Sequence, residues 1–229
     1  MFFFDRTYLL VLPALALAMW AQWRVQSTYK RFAAVRASAG IRGRDMARAI
    51  MVKNGITDVA VEETAGMLSD HYDPRAKTVR LSTDIYEGDS ISSIAVAAHE
   101  VGHVLQHAQG YVPLGLRTAV APVANLGSGL AFPLFFIGFF FHGGMSHIFM
   151  DLGISFFSAA VLFQLVTLPV EFDASKRALV QLTESGSVAP EEVDGARKVL
   201  NAAALTYVAA ASVAALELVR MLILRGSRR

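Results

Sequence analysis

The sequence predicts a mainly α, multi-pass membrane protein of about four helices, with a small β-hairpin or sheet packed on a helix that carries an HExxH pentad. Three observations point there. Of 229 residues, 54% are hydrophobic and only 17% charged, against about a quarter charged in an ordinary soluble domain. The shortage of charge is local: across residues 121–170 Asp151 alone carries one. That length suits two membrane crossings better than one soluble core. Finally, His99-Glu100-Val101-Gly102-His103 lies in a run of helix-compatible residues, just after short segments of strand character.

The elements follow in chain order. After MFFFDR, residues 7–23 make a first apolar segment near the lower length limit for a span. Trp20 and Trp23 suit a membrane interface. A cleaved signal peptide is the competing reading. Asp5 offsets Arg6 and no small-x-small cleavage site precedes a polar start, which favours a retained anchor. Arg24, Lys30, Arg31 and Arg36 form a basic flank, and Gly40 and Gly43 mark a break. Met46, Ala47, Ile50 and Met51 have the spacing of an amphipathic helix over residues 44–53, stopped by Asn54-Gly55.

Residues 56–63 and 67–72 read as short strands, Asp73-Pro74-Arg75-Ala76 as a turn, and Thr78-Val79-Arg80-Leu81 as the returning strand. The edge of this sheet could receive an extended peptide by strand addition, or it could simply roof the next helix. Asp89 or Ser90 caps that helix, which covers residues 92–109 and ends at Gly110.

Pro113 and Pro122 bracket a connection. Residues 120–141 make a second span, Phe141-His142-Gly143-Gly144-Met145-Ser146 a nearly uncharged turn, and residues from 149 or 152 to 170 a third span. Helices buried in a large soluble protein are the alternative for 134–170, but too little chain remains to bury them. Residues 171–183 form an amphipathic segment leaving the membrane. Pro190-Glu191-Glu192 opens another helix, with proline and acids in its first turn. Residues 202–224 are the last candidate span, in which Glu217 and Arg220 stand three apart and can pair. The chain thus divides into an N-terminal membrane helix (1–23), a metal-site region with the HExxH helix (24–119), a membrane hairpin (120–170), a helix carrying the third ligand with its successor (171–201), and a C-terminal membrane helix (202–225).

On a helix, His99 and His103 are four apart and share a face, so two imidazoles can be directed at one ion. Glu100 then lies within reach of the attacking water. Catalytic zinc commonly takes three protein ligands and leaves a fourth position open. With no cysteine in the chain, the ligands are His, Asp or Glu. Glu100 would take a proton from water as it attacks a carbonyl and pass it to the leaving amine. Gly102 costs about 1 kcal/mol of helix propensity, and its small size lets another segment approach beneath the metal. Because the pentad fixes only three positions, two ordinary histidines of a membrane-flanking helix are the competing reading.

His107 continues the same face, but three successive turns rarely converge on one ion; it reads as a supporting, interfacial or exposed residue. The longer HExxHxxGxxH spacing fails, since positions 106 and 109 are both Gln. Candidates for the third ligand are Glu171, Asp173, His71, His142 and His147. His142 and His147 fall in the turn on the far side of the membrane. His71, near Asp70 and Asp73, could instead bind substrate or a developing oxyanion. Glu171 fits best: it stands at the membrane boundary, and an even number of spans returns the chain to the side of the HExxH helix. Pairing with Lys176 or Arg177 is its plain structural alternative.

Asp70-His71-Tyr72-Asp73-Pro74-Arg75, Val79-Arg80-Leu81-Ser82, Val96-Ala97-Ala98-His99-Glu100-Val101-Gly102-His103 and Leu168-Pro169-Val170-Glu171-Phe172-Asp173-Ala174-Ser175 occur in this order. In these pieces the chain resembles the membrane-bound neutral zinc metallopeptidases of bacteria, the YugP-like family, over roughly residues 69–182 and in the span pattern outside them. The resemblance implies a zinc-dependent peptidase with His99 and His103 as ligands and Glu100 as base. The family is distantly similar to the gluzincins, whose membrane members open a motif with the ligand glutamate and place aspartate four residues later. Glu171 matches the ligand. Ser175 stands where that aspartate would support a ligating histidine from behind, and Asp173 or Ser175 itself would have to take over.

Four spans place both termini on one side, and residues 24–120 and 171–201 together on the other. Arg24, Lys30, Arg31, Lys176 and Arg177 favour the cytoplasm for that second side, whereas Arg225, Arg228 and Arg229 argue the other way. The expectation is a multi-pass protein of the bacterial inner (cell) membrane with its catalytic side in the cytoplasm. The expected activity is zinc-dependent endopeptidase cleavage of membrane or membrane-proximal proteins. The expected partners are the lipid bilayer and a protein or peptide substrate, with a homo-oligomer or membrane partner left open. A net charge of +2 gives no reason to expect nucleic acid. The alternative is an inactive membrane scaffold or chaperone with a structural metal site. Metal transport is a weaker reading, since Asp151, Glu217 and Arg220 alone are charged within the spans.

Overall fold

A computed structural model describes residues 6–66, 69–141, 143, 145–186 and 188–227. Among them the chain forms helices α1 (Tyr8–Ala33), α2 (Gly43–Lys53), α3 (Thr83–Tyr86), α4 (Ile91–Ala108), α5 (Val112–Phe140), α6 (Ser146–Glu184) and α7 (Pro190–Gly226). The strands are β1 (Ala60–Thr64), β2 (His71–Asp73) and β3 (Thr78–Ser82). Met67, at the start of the expected second strand, and His142, Arg228 and Arg229 lie outside the described residues. Two compact units emerge: Trp23–Tyr111 with Val170–Leu205, and Met1–Gln22 with Val112–Pro169 and Thr206–Arg229.

The first unit is built around α4. Ser90 caps this helix, its hydroxyl oxygen accepting from the Ser93 amide at 3.1 Å. At the other end Gly110 adopts φ +63°, and the Tyr111 amide turns back to the Gln106 carbonyl at 2.9 Å, a turn for which glycine has no steric penalty. Ile94, Ala97, Ala98, Val101 and Val104 are buried against Met46, Ile50 and Met51 of α2, Val79 and Leu81 of β3, and Ala178 and Leu182 of α6. Each large side chain so buried contributes about 1.5–3 kcal/mol.

The sheet order is β1-β3-β2. β2 and β3 form the expected antiparallel pair, with Tyr72 opposite Val79. The strand expected over 56–63 is shorter: it starts at Ala60 and runs parallel to β3, with Val61 opposite Val79. Parallel pairing requires a crossover, which the intervening chain with β2 supplies. The short helix α3 was not expected at all.

The second unit holds most of the apolar chain. α5, α6 and α7 are each long and apolar enough to cross a membrane, and at most 28% of any apolar window is buried within the protein. The chain is therefore a mainly α, multi-pass membrane protein. Gly127, Gly138 and Gly153 let the α5 and α6 backbones approach: an added methyl at each would lie 2.5–2.7 Å from backbone atoms of the other helix. Small residues at such contacts are what helix association in lipid favours. Arg225 of α7 binds both carboxylate oxygens of Asp151 in α6, at 2.8 and 2.9 Å.

Three boundaries differ from expectation. Pro113 and Pro122 do not bracket a connection; both lie within α5. Residues 149–183 are one helix through Pro169, not a span followed by a new helix. Residues 190–224 are likewise continuous. Proline at a first turn leaves unmet only a bond the helix never makes, and prolines deeper in membrane helices are tolerated because neighbours satisfy the freed groups.

Candidate metal centre

His99 and His103 leave α4 one turn apart, with their rings edge to face and centroids 4.9 Å apart. Glu171 comes from α6 and is almost fully buried, at 2% exposure. Its Oε2 lies 3.2 Å from His99 Nε2 and 3.6 Å from His103 Nε2. One ligand atom from each of these three residues falls within 4.8 Å of the others, a cluster among the described residues that could hold a metal ion. Two ligands held tetrahedrally at typical zinc distances stand about 3.3 Å apart, so the donor atoms are already near their working spacing.

The electrostatics suit a cation. Burial alone would raise the Glu171 carboxyl, but the two imidazoles outweigh it and hold the group well below the usual carboxylate range. Burial alone would lower His103, yet the Glu171 carboxylate and the nearby Glu100 charge raise it. A buried carboxylate facing two imidazoles calls for positive charge at the point where they meet.

Gly102 makes this approach of helices feasible. A Cβ there would stand 2.4 Å from the Ala174 carbonyl oxygen. Glu100 is itself buried, at 8% exposure, and stands one residue beyond His99 on the same helix.

Behind the ligands, the Ser175 hydroxyl lies 3.2 Å from His99 Nδ1. Ser175 follows Glu171 by one helical turn, so both share a face. The buried Gln106, which no spacing argument had singled out except as a mismatch, places its Oε1 3.0 Å from His103 Nδ1. Asp173 does not join the ligand cluster; its carboxylate accepts from Gln106 and from Arg177.

The other sequence candidates fall elsewhere. His107 Nδ1 meets the Tyr72 hydroxyl at 2.8 Å. His71, one residue from Tyr72, pairs with Arg80 on the opposite face of the sheet, and its Nδ1 donates to the Ser69 carbonyl at 2.7 Å. His147 belongs to the membrane unit at the start of α6. Tyr72 is the contact on this side that sequence reading passed over; its alternation with Val79 on the core side of the sheet was the available signal.

Residues 7–226 match the sequence model of a family described as "Putative neutral zinc metallopeptidase". The chain belongs to this family. Among its relatives, the "Putative membrane protease YugP" of Bacillus subtilis (strain 168) is 50% identical over 219 residues, covering 95% of this chain and 96% of that protein. No solved structure matches. In this zinc-metallopeptidase chain the His-His-Glu cluster is consistent with a gluzincin-like catalytic site.

Proposed function

We propose that this metallopeptidase is a zinc-dependent endopeptidase of the bacterial cell membrane, acting on membrane or membrane-proximal proteins. The convergence of His99 Nε2, His103 Nε2 and Glu171 Oε2 carries the proposal. Two imidazoles and one carboxylate suit zinc, whereas magnesium and calcium prefer oxygen ligands throughout. Bound there, zinc supplies a Lewis acid that polarises the scissile carbonyl and makes water nucleophilic near neutral pH.

The chain's own groups do the rest. Glu100 takes the proton from the attacking water on its carboxylate and returns it to the nitrogen of the leaving amine. Glu171 holds negative charge between the imidazoles, and Ser175 steadies the His99 ring from behind. The burial of Glu100 beside apolar Val101 and Val104 limits competing solvent around the proton it carries.

A fourth crossing by α1 completes the proposed topology, with residues 1–23, 120–170 and 202–225 as the membrane segments. It carries residues 24–119 and 171–201 to the cytoplasmic face, in keeping with Arg24, Lys30, Arg31, Lys176 and Arg177. Substrates would then be protein segments presented at the bilayer surface.

The test is Glu100→Gln in detergent-purified protein, assayed on an unfolded protein substrate. The expected result is unchanged zinc content with cleavage reduced by about 10²–10⁴-fold, the range of a general acid–base group. Cleavage at the wild-type rate would overturn the assignment. Retention of the cellular role by Glu100→Gln would favour a scaffold instead.

A further inference from the structure

Gln106 and Gln109, the two glutamines that break the longer histidine spacing, both belong to a polar chain that ends at His103. Gln106 is 0% exposed. Its Nε2 donates to the Val170 carbonyl oxygen at 2.7 Å and to Asp173 Oδ2 at 2.9 Å. A carbonyl and a carboxylate only accept, so both amide hydrogens are committed. Turning the amide over would set Oε1 against two acceptors and lose both bonds, leaving buried polar groups unpaired.

Oε1 is therefore the atom that faces His103 Nδ1, at 3.0 Å. An amide oxygen only accepts, so Nδ1 carries the hydrogen. A neutral imidazole protonated on Nδ1 has its lone pair on Nε2. Nε2 is the atom that faces Glu171.

We propose that Gln106 is a positioning residue of the metal centre: by accepting from His103 Nδ1–H it orients the ring so that Nε2, the atom on the Glu171 side, is the one that meets a bound metal. Asp173 is the anchor of that amide and not a ligand. Arg177 holds Asp173 in turn, its Nε 2.5 Å from the same oxygen. The Arg177 guanidinium also donates to Gln109 Oε1 and lies 5.5 Å from the Tyr111 ring centroid. Among the described residues His99 has no equivalent: the Ser175 hydroxyl at its Nδ1 both donates and accepts, so it selects neither tautomer. Of the two imidazoles, His103 is the one set by its partner.

The identity of Nε2 as a ligand atom rests on the zinc reading, so the spectra are taken with metal bound. The experiment has two arms. In the first, nitrogen-15 histidine spectra of the zinc-loaded protein in detergent report which His103 nitrogen binds the metal and which carries hydrogen. The expected result is Nδ1–H with the metal on Nε2 in wild type; metal on Nδ1 with hydrogen on Nε2 would overturn the proposal. In the second, zinc and cobalt affinities are measured by chelator competition. Gln106→Met should weaken both about 10–100-fold, and Asp173→Ala by less, in the same direction. Unchanged affinity in a folded Gln106→Met protein would also overturn it. Should that variant fail to fold, the wild-type spectrum still decides. Should wild type bind no metal, the zinc reading and this proposal fail together; zinc held through His103 Nδ1 overturns the role of Gln106 alone.

Discussion

Gly102 rests directly on Ala174: a methyl group at Gly102 would stand 2.4 Å from the Ala174 carbonyl oxygen and 3.0 Å from its carbon. The obstacle is helix backbone, which cannot swing aside as a long side chain can. Gly102→Ala would gain about 1 kcal/mol of helix propensity and lose about 1–3 kcal/mol to overpacking. It would also push α4 away from the helix that carries Glu171. The expected outcome is a lower melting temperature together with weaker zinc retention, read by thermal denaturation and metal analysis on the same sample. A raised melting temperature with full zinc content would refute the contact.

Ser175 touches His99 Nδ1 through one bond of 3.2 Å. Water can replace a hydroxyl at such a place more readily than it can replace the buried Gln106 amide. Ser175→Ala should therefore lower zinc affinity by about 10-fold, the small end of the range for groups that support metal ligands from behind. Chelator competition gives the number directly. A loss larger than that of Gln106→Met would reverse the proposed ranking.

Much of this centre was legible in the residue order. The i,i+4 spacing of His99 and His103 is a property of any helix, and Glu171 stood out as the first charge after a long apolar run. Gln106 was not legible, because its role depends on Val170 and Asp173, more than sixty residues away. The failure of position 106 to be glycine looked like a missing pattern, when the residue that replaced it bonds to the ligand. The parallel pairing of β1 with β3 was not legible for a similar reason: it depends on a crossover that no local pattern marks. Helix ends were misplaced at Pro113 and Pro122: the first lies in the opening turn of α5, where proline costs no helix bond, and the second inside a membrane helix, where neighbours can satisfy the freed group.

Asp70 gives a pH prediction away from the metal. Burial raises its pKa, outweighing the hydrogen bonds it accepts from the Ser82 amide and hydroxyl. A folded pKa above the unfolded one means that the protonated carboxyl contributes stability, fully present at pH values below the unfolded pKa and lost as pH rises through the folded pKa. At neutral pH the ionised group is a net cost. Asp70→Asn keeps an oxygen that accepts from Ser82 at 2.7 Å and removes the charge. Its melting temperature should exceed that of wild type at pH 7, and the gap should close as pH falls toward the ordinary aspartate value of 3.8. A gap that widened on acidification would have the wrong sign.

The Asp151–Arg225 pair joins the beginning of α6 to the end of α7. In the proposed topology the two helices cross together, which would set Gly143 and Ser227 on one side of the membrane. The chain has no cysteine, so single reporters can be placed without background. Gly143→Cys and Ser227→Cys should react with an impermeant thiol reagent from the same side, and Ala76→Cys from the other. Labelling of Gly143→Cys and Ser227→Cys from opposite sides would rule out the crossing of α7.

The metal content of the purified chain bears on everything above. Wild type, Glu171→Ala and Asp173→Ala would be prepared in detergent, loaded with zinc and washed by gel filtration. The His-His-Glu centre predicts about one zinc per chain in wild type and in Asp173→Ala, and loss of zinc in Glu171→Ala. Wild type that stays free of zinc after loading, or Glu171→Ala that keeps a full equivalent, would contradict the centre described here.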